Sequence, residues 1–306
     1  MALKYAVIGT GALGGFYGGK LARSGNDVHF LFRSDYDFVK QHGLSIDSPS
    51  GDFHLHDIAA YRNVNDMPQC DVILICLKTI HNSMLGRMLP PLMHKDSLVI
   101  LIQNGLGIEE DLAKALPNVT IAGGLAFICS NKIGPGHIVH LDYGKLNIGS
   151  HNAKDPSILQ QVCDDFNQAG IPAEVSPNLL LSRWQKLVWN VPFNGMTVVL
   201  NTTTDQLMQN EATRQLAYDM MLEVIAGANQ CGVALRESFA DKMMELTEQM
   251  TPYAPSMKLD YDHKRPMEIG YIYSRPLQTA LAAGYEMKKV SVLENQLRFI
   301  QDRLIF

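Results

Sequence analysis

Short apolar runs open the chain and alternate with helical patterns through its first half. KYAVIG, DVHFLF, DVILICL and SLVILI are continuous and rich in Val, Ile and Leu, the pattern of strands buried on both faces. Segments beginning near Ala12, Thr79 and Ile108 carry helical periodicity, so the series reads as βαβ units and predicts a mainly parallel sheet covered by helices. Between the second and third runs, GLSIDSPSGDFHLHDIAA predicts a hairpin turning at Ser48 to Gly51 and then another short strand. Residues 120–150, with GHIVHLD and KLNIG, extend the sheet, and IPAEV near residue 175 is the last strand signal.

Beyond it the pattern is helical, with periodic segments at roughly 179–200, 205–231, 235–249, 267–283 and 288–303. Two domains are therefore expected, an α/β domain over 1–175 and an all-α domain over 176–306. TPYAPSM breaks the helical half, and a short segment from Met257 to His263 leads to the next long helix. Pro192 should kink the first of these helices, because it lacks an amide proton and crowds the carbonyl of Val188. That helix contains RWQKLVWNVPFN, which spaces Lys186, Asn190 and Asn194 four apart. Each step of four advances about 40° around the axis, so the three polar heads share one stripe. Leu187 borders the stripe on one side, Trp189 and Phe193 on the other. The stripe reads either as a thin edge shown to water or as the polar lining of a cleft.

Composition narrows the partners. The 306 residues are 46% hydrophobic with a formal charge of −5, as in an ordinary globular protein. No run of Lys and Arg follows a phosphate backbone or an anionic membrane, which argues against nucleic acid and membrane partners. Cys70, Cys76, Cys129, Cys163 and Cys231 are far apart and form no CxxC pair, so neither a metal site nor a disulfide framework is expected. Free thiols, strand-length apolar runs and a motif reached within the first residues make a cytoplasmic protein without a signal peptide the expectation.

The chemistry begins with GTGALG, residues 9–14, placed between the first strand and the first helix. In that context Gly9 permits a tight turn, Gly11 lets the backbone approach a pyrophosphate, and Gly14 lets the helix pack close. Thr10, Ala12 and Leu13 lie in the same turn, whose helix N-terminus faces the phosphates. The second strand ends in Arg33 and Ser34 where an NAD-binding chain usually has an acid. A guanidinium pairs with a 2′-phosphate, so NADPH or NADP is the expected cofactor. Lys78 and Gln103-Asn104-Gly105 follow the next two strands at the same edge of the sheet. Taken singly, Lys78 also reads as an ordinary loop residue.

A second polar cluster, PSMKLDYDHKRPMEIGYI, carries Ser256, Asp260 and Glu268. A structural account exists for two of them: Ser256 as a helix cap and Glu268 as an acid in a first helical turn after Pro266. No role for Asp260 follows from the sequence. Together with GTGALG, Arg33, Lys78, QNG at 103–105 and KLVWNVPFN, this cluster resembles the ketopantoate reductases (2-dehydropantoate 2-reductases) along nearly the whole chain. The resemblance implies a Rossmann-type N-terminal domain, an all-α C-terminal domain like that of 6-phosphogluconate dehydrogenase, and an active site in the cleft between them. It implies reduction of the C2 ketone of a small 2-oxo acid by NADPH in pantothenate biosynthesis. Lys186 would donate the proton, and Glu268 would contact cofactor ribose or substrate hydroxyl and hold Lys186. Asn190 and Asn194 would bind the substrate, Ser256 its carboxylate, and Asn104 would lie where substrate and nicotinamide meet. Backbone at Ala126 would also touch the cofactor.

Some positions depart from the family pattern. Thr204 stands where a third asparagine is usual, and Gly270, Tyr273 and Ser274 replace residues of the usual Glu-Ile-Asp-Tyr-Ile-Asn-Gly. NADPH-linked reduction survives these changes, while the choice of 2-oxo acid stays open. A reductase of another 2-oxo acid or of a 3-hydroxyacid, and a non-catalytic NADP sensor, remain alternatives. The long methionine-containing helices of the second half suggest a homodimer, although such residues also read as core.

Overall fold

The computed structural model describes residues 2–250, 252 and 254–304. They fall into two compact units, one running to Gln103 and again from Ile108 to Leu179, the other formed by Asn104–Gly107 and the chain after Leu179.

In the sheet unit, ten strands form one sheet: β1 (Lys4–Ile8), β2 (Asp27–Leu31), β3 (Leu44–Asp47), β4 (Phe53–Leu55), β5 (Ala59–Tyr61), β6 (Cys70–Ile75), β7 (Met93–Leu101), β8 (Thr120–Gly134), β9 (His137–Ser150) and β10 (Ala173–Ser176). The series β5-β2-β1-β6-β7-β8 is parallel throughout. That is the strand order of a doubly wound dinucleotide-binding sheet, with its reversal between β1 and β6. The four apolar runs read from the sequence are β1, β2, β6 and β7. The expected hairpin is β3–β4, closed where the amide of Gly51 donates to the carbonyl of Ser48 at 2.8 Å. β8 and β9 form a long antiparallel pair, and β3 and β10 join β9 in parallel.

Helices α1 (Ala12–Arg23), α2 (Tyr36–His42), α3 (Leu85–Met88), α4 (Ile108–Ala115) and α5 (Ser157–Gln168) belong to this unit. The helix expected near Thr79 is instead a 3₁₀ turn over Thr79–Met84 followed by the single turn of α3. Pro90 and Pro91 bring no amide proton to extend it, and they open a further 3₁₀ turn over Pro90–Leu92. α5 was not among the expected elements, yet it buries Leu159, Val162, Cys163 and Phe166 as one stripe against the sheet core around Tyr5, Val7, Tyr17 and Phe30.

The helical unit contains α6 (Leu179–Val199), α7 (Thr204–Gln209), α8 (Glu211–Gln230), α9 (Ser238–Gln249), α10 (Ser256–Asp262), a π-helical turn over Gly270–Ser274, α11 (Arg275–Ala282) and α12 (Lys288–Arg303). Trp184, Leu187, Val191, Met221, Val224 and Leu297 lie in its core. α6 runs on through Pro192. The TPYAPSM break includes Thr251 and Tyr253, which lie outside the described residues. Among the described residues no helix is long and apolar enough to cross a membrane.

The helix expected over 205–231 is two helices. Asn210 adopts an extended conformation (φ −97°, ψ 121°), and its side-chain oxygen accepts from the amide of Thr213 at 3.1 Å, capping α8. Replacing Asn210 with Ala should therefore lower the free energy of unfolding by about 1 kcal/mol, read from the urea midpoint.

Candidate active site

The glycine turn lies where the strand order reverses. Gly9 has φ +95°, and a Cβ there would stand 2.5 Å from the amide nitrogen of Leu77, in the loop after β6. Only glycine allows β1 and that loop to come so close. A Cβ on Gly14 would meet the carbonyl oxygen of Gly9 at 2.3 Å and Val7 Cγ1 at 3.0 Å, so α1 sits directly on its own strand. At Gly11 a Cβ would meet nothing within 4 Å. No side chain caps α1 at Gly11, and no acid occupies its first turn. These are the features of a helix N-terminus that takes a pyrophosphate, and the residues present fit a dinucleotide. Thr10 ties the turn to β2, its hydroxyl donating to the carbonyl of Leu31 at 2.9 Å. Ala12 and Leu13 continue into α1, and the Leu13 side chain packs on the sheet core, leaving its backbone for the turn.

Arg33 is exposed just past the end of β2. An acid does follow two residues later: Asp35, which the sequence reading passed over. It is buried and committed elsewhere, bonded to the Lys132 ammonium at 2.5 Å, the Gly136 amide at 3.1 Å and the Ser34 hydroxyl at 2.8 Å. Burial works against its charge, and those three donors outweigh it and hold the carboxyl below its ordinary range. Asp35 therefore reinforces the β8–β9 turn, and Arg33 is the charged group left exposed at this strand end. Lys78, half-buried, opens the 3₁₀ turn after β6, and Ala126 is half-buried in β8. Gln103 is structural: its amide donates to the carbonyl of Leu77 and to Asn82 Oδ1, both at 2.7 Å.

Asn104 clusters with the helical unit although it follows a strand of the sheet. Gly105, at φ +111°, leaves space for the backbone of Tyr271, and the Leu106 amide donates to the Tyr271 carbonyl at 2.9 Å. This fastens the Asn104 segment to the π-helical turn that follows Glu268. Glu268 is buried and precedes that turn, instead of lying within a first α-helical turn.

On α6, Lys186 is half-buried, and Asn190 and Asn194 are 6% and 2% exposed. The stripe is therefore no edge shown to water. Desolvation, joined by repulsion from the Arg183 guanidinium and partly offset by the Glu268 carboxylate, brings the Lys186 ammonium down to about 7. Arg183 is itself buried and was not singled out from the sequence, where its position three residues before Lys186 was the available signal. Asn190 Nδ2 is buried with no hydrogen-bond partner among the described residues. A buried donor without a partner is costly in isolation and suited to a ligand. Asn194 differs, because its side-chain oxygen accepts from the amide of Met257 at 3.2 Å. That bond holds the start of α10, so Pro255 rather than Ser256 is the cap and half-buried Ser256 is the first helical residue. Asp260 is buried and accepts from Arg265 Nε at 3.1 Å, closing the other end of α10. Thr204 is buried at the start of α7.

The fold and the glycine turn define a nucleotide-dependent oxidoreductase with a helical second unit. The sequence profile of the family described as ketopantoate reductase PanE/ApbA matches residues 5–153, and that described as ketopantoate reductase PanE/ApbA C terminal matches residues 178–301. The 2-dehydropantoate 2-reductase of Nostoc sp. is 48% identical over 305 residues, covering 98% of this chain and 96% of that protein. The crystal structure of 2-dehydropantoate 2-reductase from Geobacter metallireducens superposes with a TM-score of 0.94 at 38% identity, covering 97% of this chain and 99% of that one. That of the enzyme from Methylococcus capsulatus gives 0.91 at 30% identity, over 99% and 98%. The chain belongs to the ketopantoate reductase family.

The Arg33 assignment has a direct test. Arg33→Ala should raise the Kd for NADPH at least tenfold and leave that for NADH nearly unchanged, as measured by quenching of protein fluorescence, because only the 2′-phosphate loses a partner.

Proposed function

We propose that this protein reduces 2-dehydropantoate (ketopantoate) to pantoate with NADPH, a step toward pantothenate and coenzyme A, in the cytoplasm and as a homodimer. The observation that carries the reading is Lys186: an ammonium brought close to neutrality beside a buried carboxylate, on the same helix face as an unpaired buried amide. A general acid works best when its pKa lies near the working pH.

When bound, NADPH would supply a hydride to the C2 carbonyl carbon. As the carbonyl π pair moves onto oxygen, Lys186 gives that oxygen a proton from Nζ and is left as a neutral amine, which solvent reprotonates. Its positive charge also stabilises the developing oxyanion before the proton moves. Glu268 opposes the loss of that proton in the resting enzyme, since its charge favours the ammonium against desolvation and Arg183. Asn190 donates its unpaired amide hydrogens to an acceptor on the substrate. Asn194 contributes through its own amide nitrogen and by holding Ser256, whose hydroxyl meets the carboxylate. On the cofactor side, the Gly9-Thr10-Gly11-Ala12-Leu13-Gly14 turn would hold the pyrophosphate and Arg33 the 2′-phosphate, with Lys78, Asn104, Ala126 and Glu268 as further contacts.

Turnover with ketopantoate in an NADPH oxidation assay, set against a panel of other 2-oxo acids, tests the substrate; activity confined to another acid would reassign it. Lys186→Ala should keep NADPH affinity and lose about 10²–10⁴ in kcat. The pH profile gives an independent check. Reduction needs the protonated lysine, so kcat should be level below pH of about 7 and fall roughly tenfold per unit above it. A kcat level through pH 9 would remove Lys186 as the proton donor.

A further inference from the structure

Tyr273 is fully buried, and its hydroxyl reaches the backbone of α6. It donates to the carbonyl of Val191 at 2.8 Å and accepts from the amide of Gly195. Those two groups are the two ends of one helical rung, since the amide of residue i+4 donates to the carbonyl of residue i. The phenol oxygen thus lies against one rung of the ladder and bonds to both of its ends, and a hydroxyl suits the place because it both donates and accepts. Gly195 is required there: a Cβ would stand 2.7 Å from the Tyr273 oxygen and 2.6 Å from Leu293 Cδ2. The rung three residues earlier is open, because Pro192 has no amide proton for the carbonyl of Val188. An open rung at Pro192 and a hydroxyl bonded at Val191 and Gly195 thus both fall on the stretch that spaces Asn190 from Asn194, and a missing rung at proline is a recognised cause of local bending.

We propose that Tyr273 is a positioning residue for substrate binding: its hydroxyl sets how Asn194 is turned relative to Lys186 and Asn190. The inference rests on the assignment of those three residues to the substrate. Without the hydroxyl, the Val191–Gly195 stretch would lose its tie to the π-helical turn and shift, turning Asn194. Asn194 would carry Ser256 with it, through the bond from Met257 to its side chain. Burial keeps the phenol protonated, its pKa being raised well above the ordinary value, so the arrangement does not titrate with Lys186. Tyr273 reaches α6 from the π-helical turn that directly follows Glu268. The turn thus fixes the backbone beside the acid and the spacing of the asparagines together.

The test is Tyr273→Phe, which removes one oxygen, compared with Leu293→Ala, which loosens packing on the same glycine without touching the hydrogen bonds. Circular dichroism and thermal melting establish that both variants are folded. In Tyr273→Phe the KM for the 2-oxo acid should rise about tenfold or more, kcat should fall less, and both the NADPH Kd and the pH at which kcat declines should stay as in the wild type. Leu293→Ala should melt earlier with a wild-type KM. A wild-type KM in folded Tyr273→Phe overturns the proposal, as does an equal rise in Leu293→Ala, which would make it a matter of packing. Absence of turnover by the wild type with every 2-oxo acid would overturn the functional reading, and this inference with it.

Discussion

The proposed chemistry of the helical unit depends on the burial of one ammonium. Lys186 is held where desolvation and the Arg183 guanidinium push its proton off and Glu268 holds it on. The balance matters more than any one contribution: without the carboxylate the lysine would be neutral over most of the working range, and without the burial it would be too weak an acid. The amphipathic logic of α6 provides the burial. Trp184, Leu187, Val188, Val191 and Phe193 fill the core around the helix, and the polar stripe is enclosed with them.

The π-helical turn at Gly270–Ser274 organises the rest of that unit. It follows Glu268 and takes the Leu106 amide on the Tyr271 carbonyl. It sends Tyr273 into α6, and Ser274 bonds to Glu294 while receiving a bond from Arg298 at 2.7 Å. Three segments distant in sequence thus converge on five residues. Such turns widen a helix at one point and are common where a fold must place side chains for function.

Much of this was legible in the sequence, for identifiable reasons. The strands of the parallel core are continuous apolar runs, and the glycine turn is defined by local steric demands at Gly9 and Gly14 that any such turn must meet. The spacing of Lys186, Asn190 and Asn194 fixed a shared helix face. What escaped depended on partners remote in the chain. Asp35 reads as a loop acid until Lys132 and Gly136 claim it. Asn194 shows its place in the polar stripe, but not that its oxygen holds the amide of Met257. Asn210 divides a long apparent helix because its side chain caps the second half, a competition that apolar periodicity does not register. Helix α5 is the opposite case, since Leu159, Val162, Cys163 and Phe166 already display its stripe.

The most direct measurement of the central claim is the titration of Lys186 itself. In protein labelled with 13C at the lysine ε carbons, the signal lost in Lys186→Arg should shift with a midpoint near 7. A midpoint among the ordinary lysines, at about 10.4, would contradict the account.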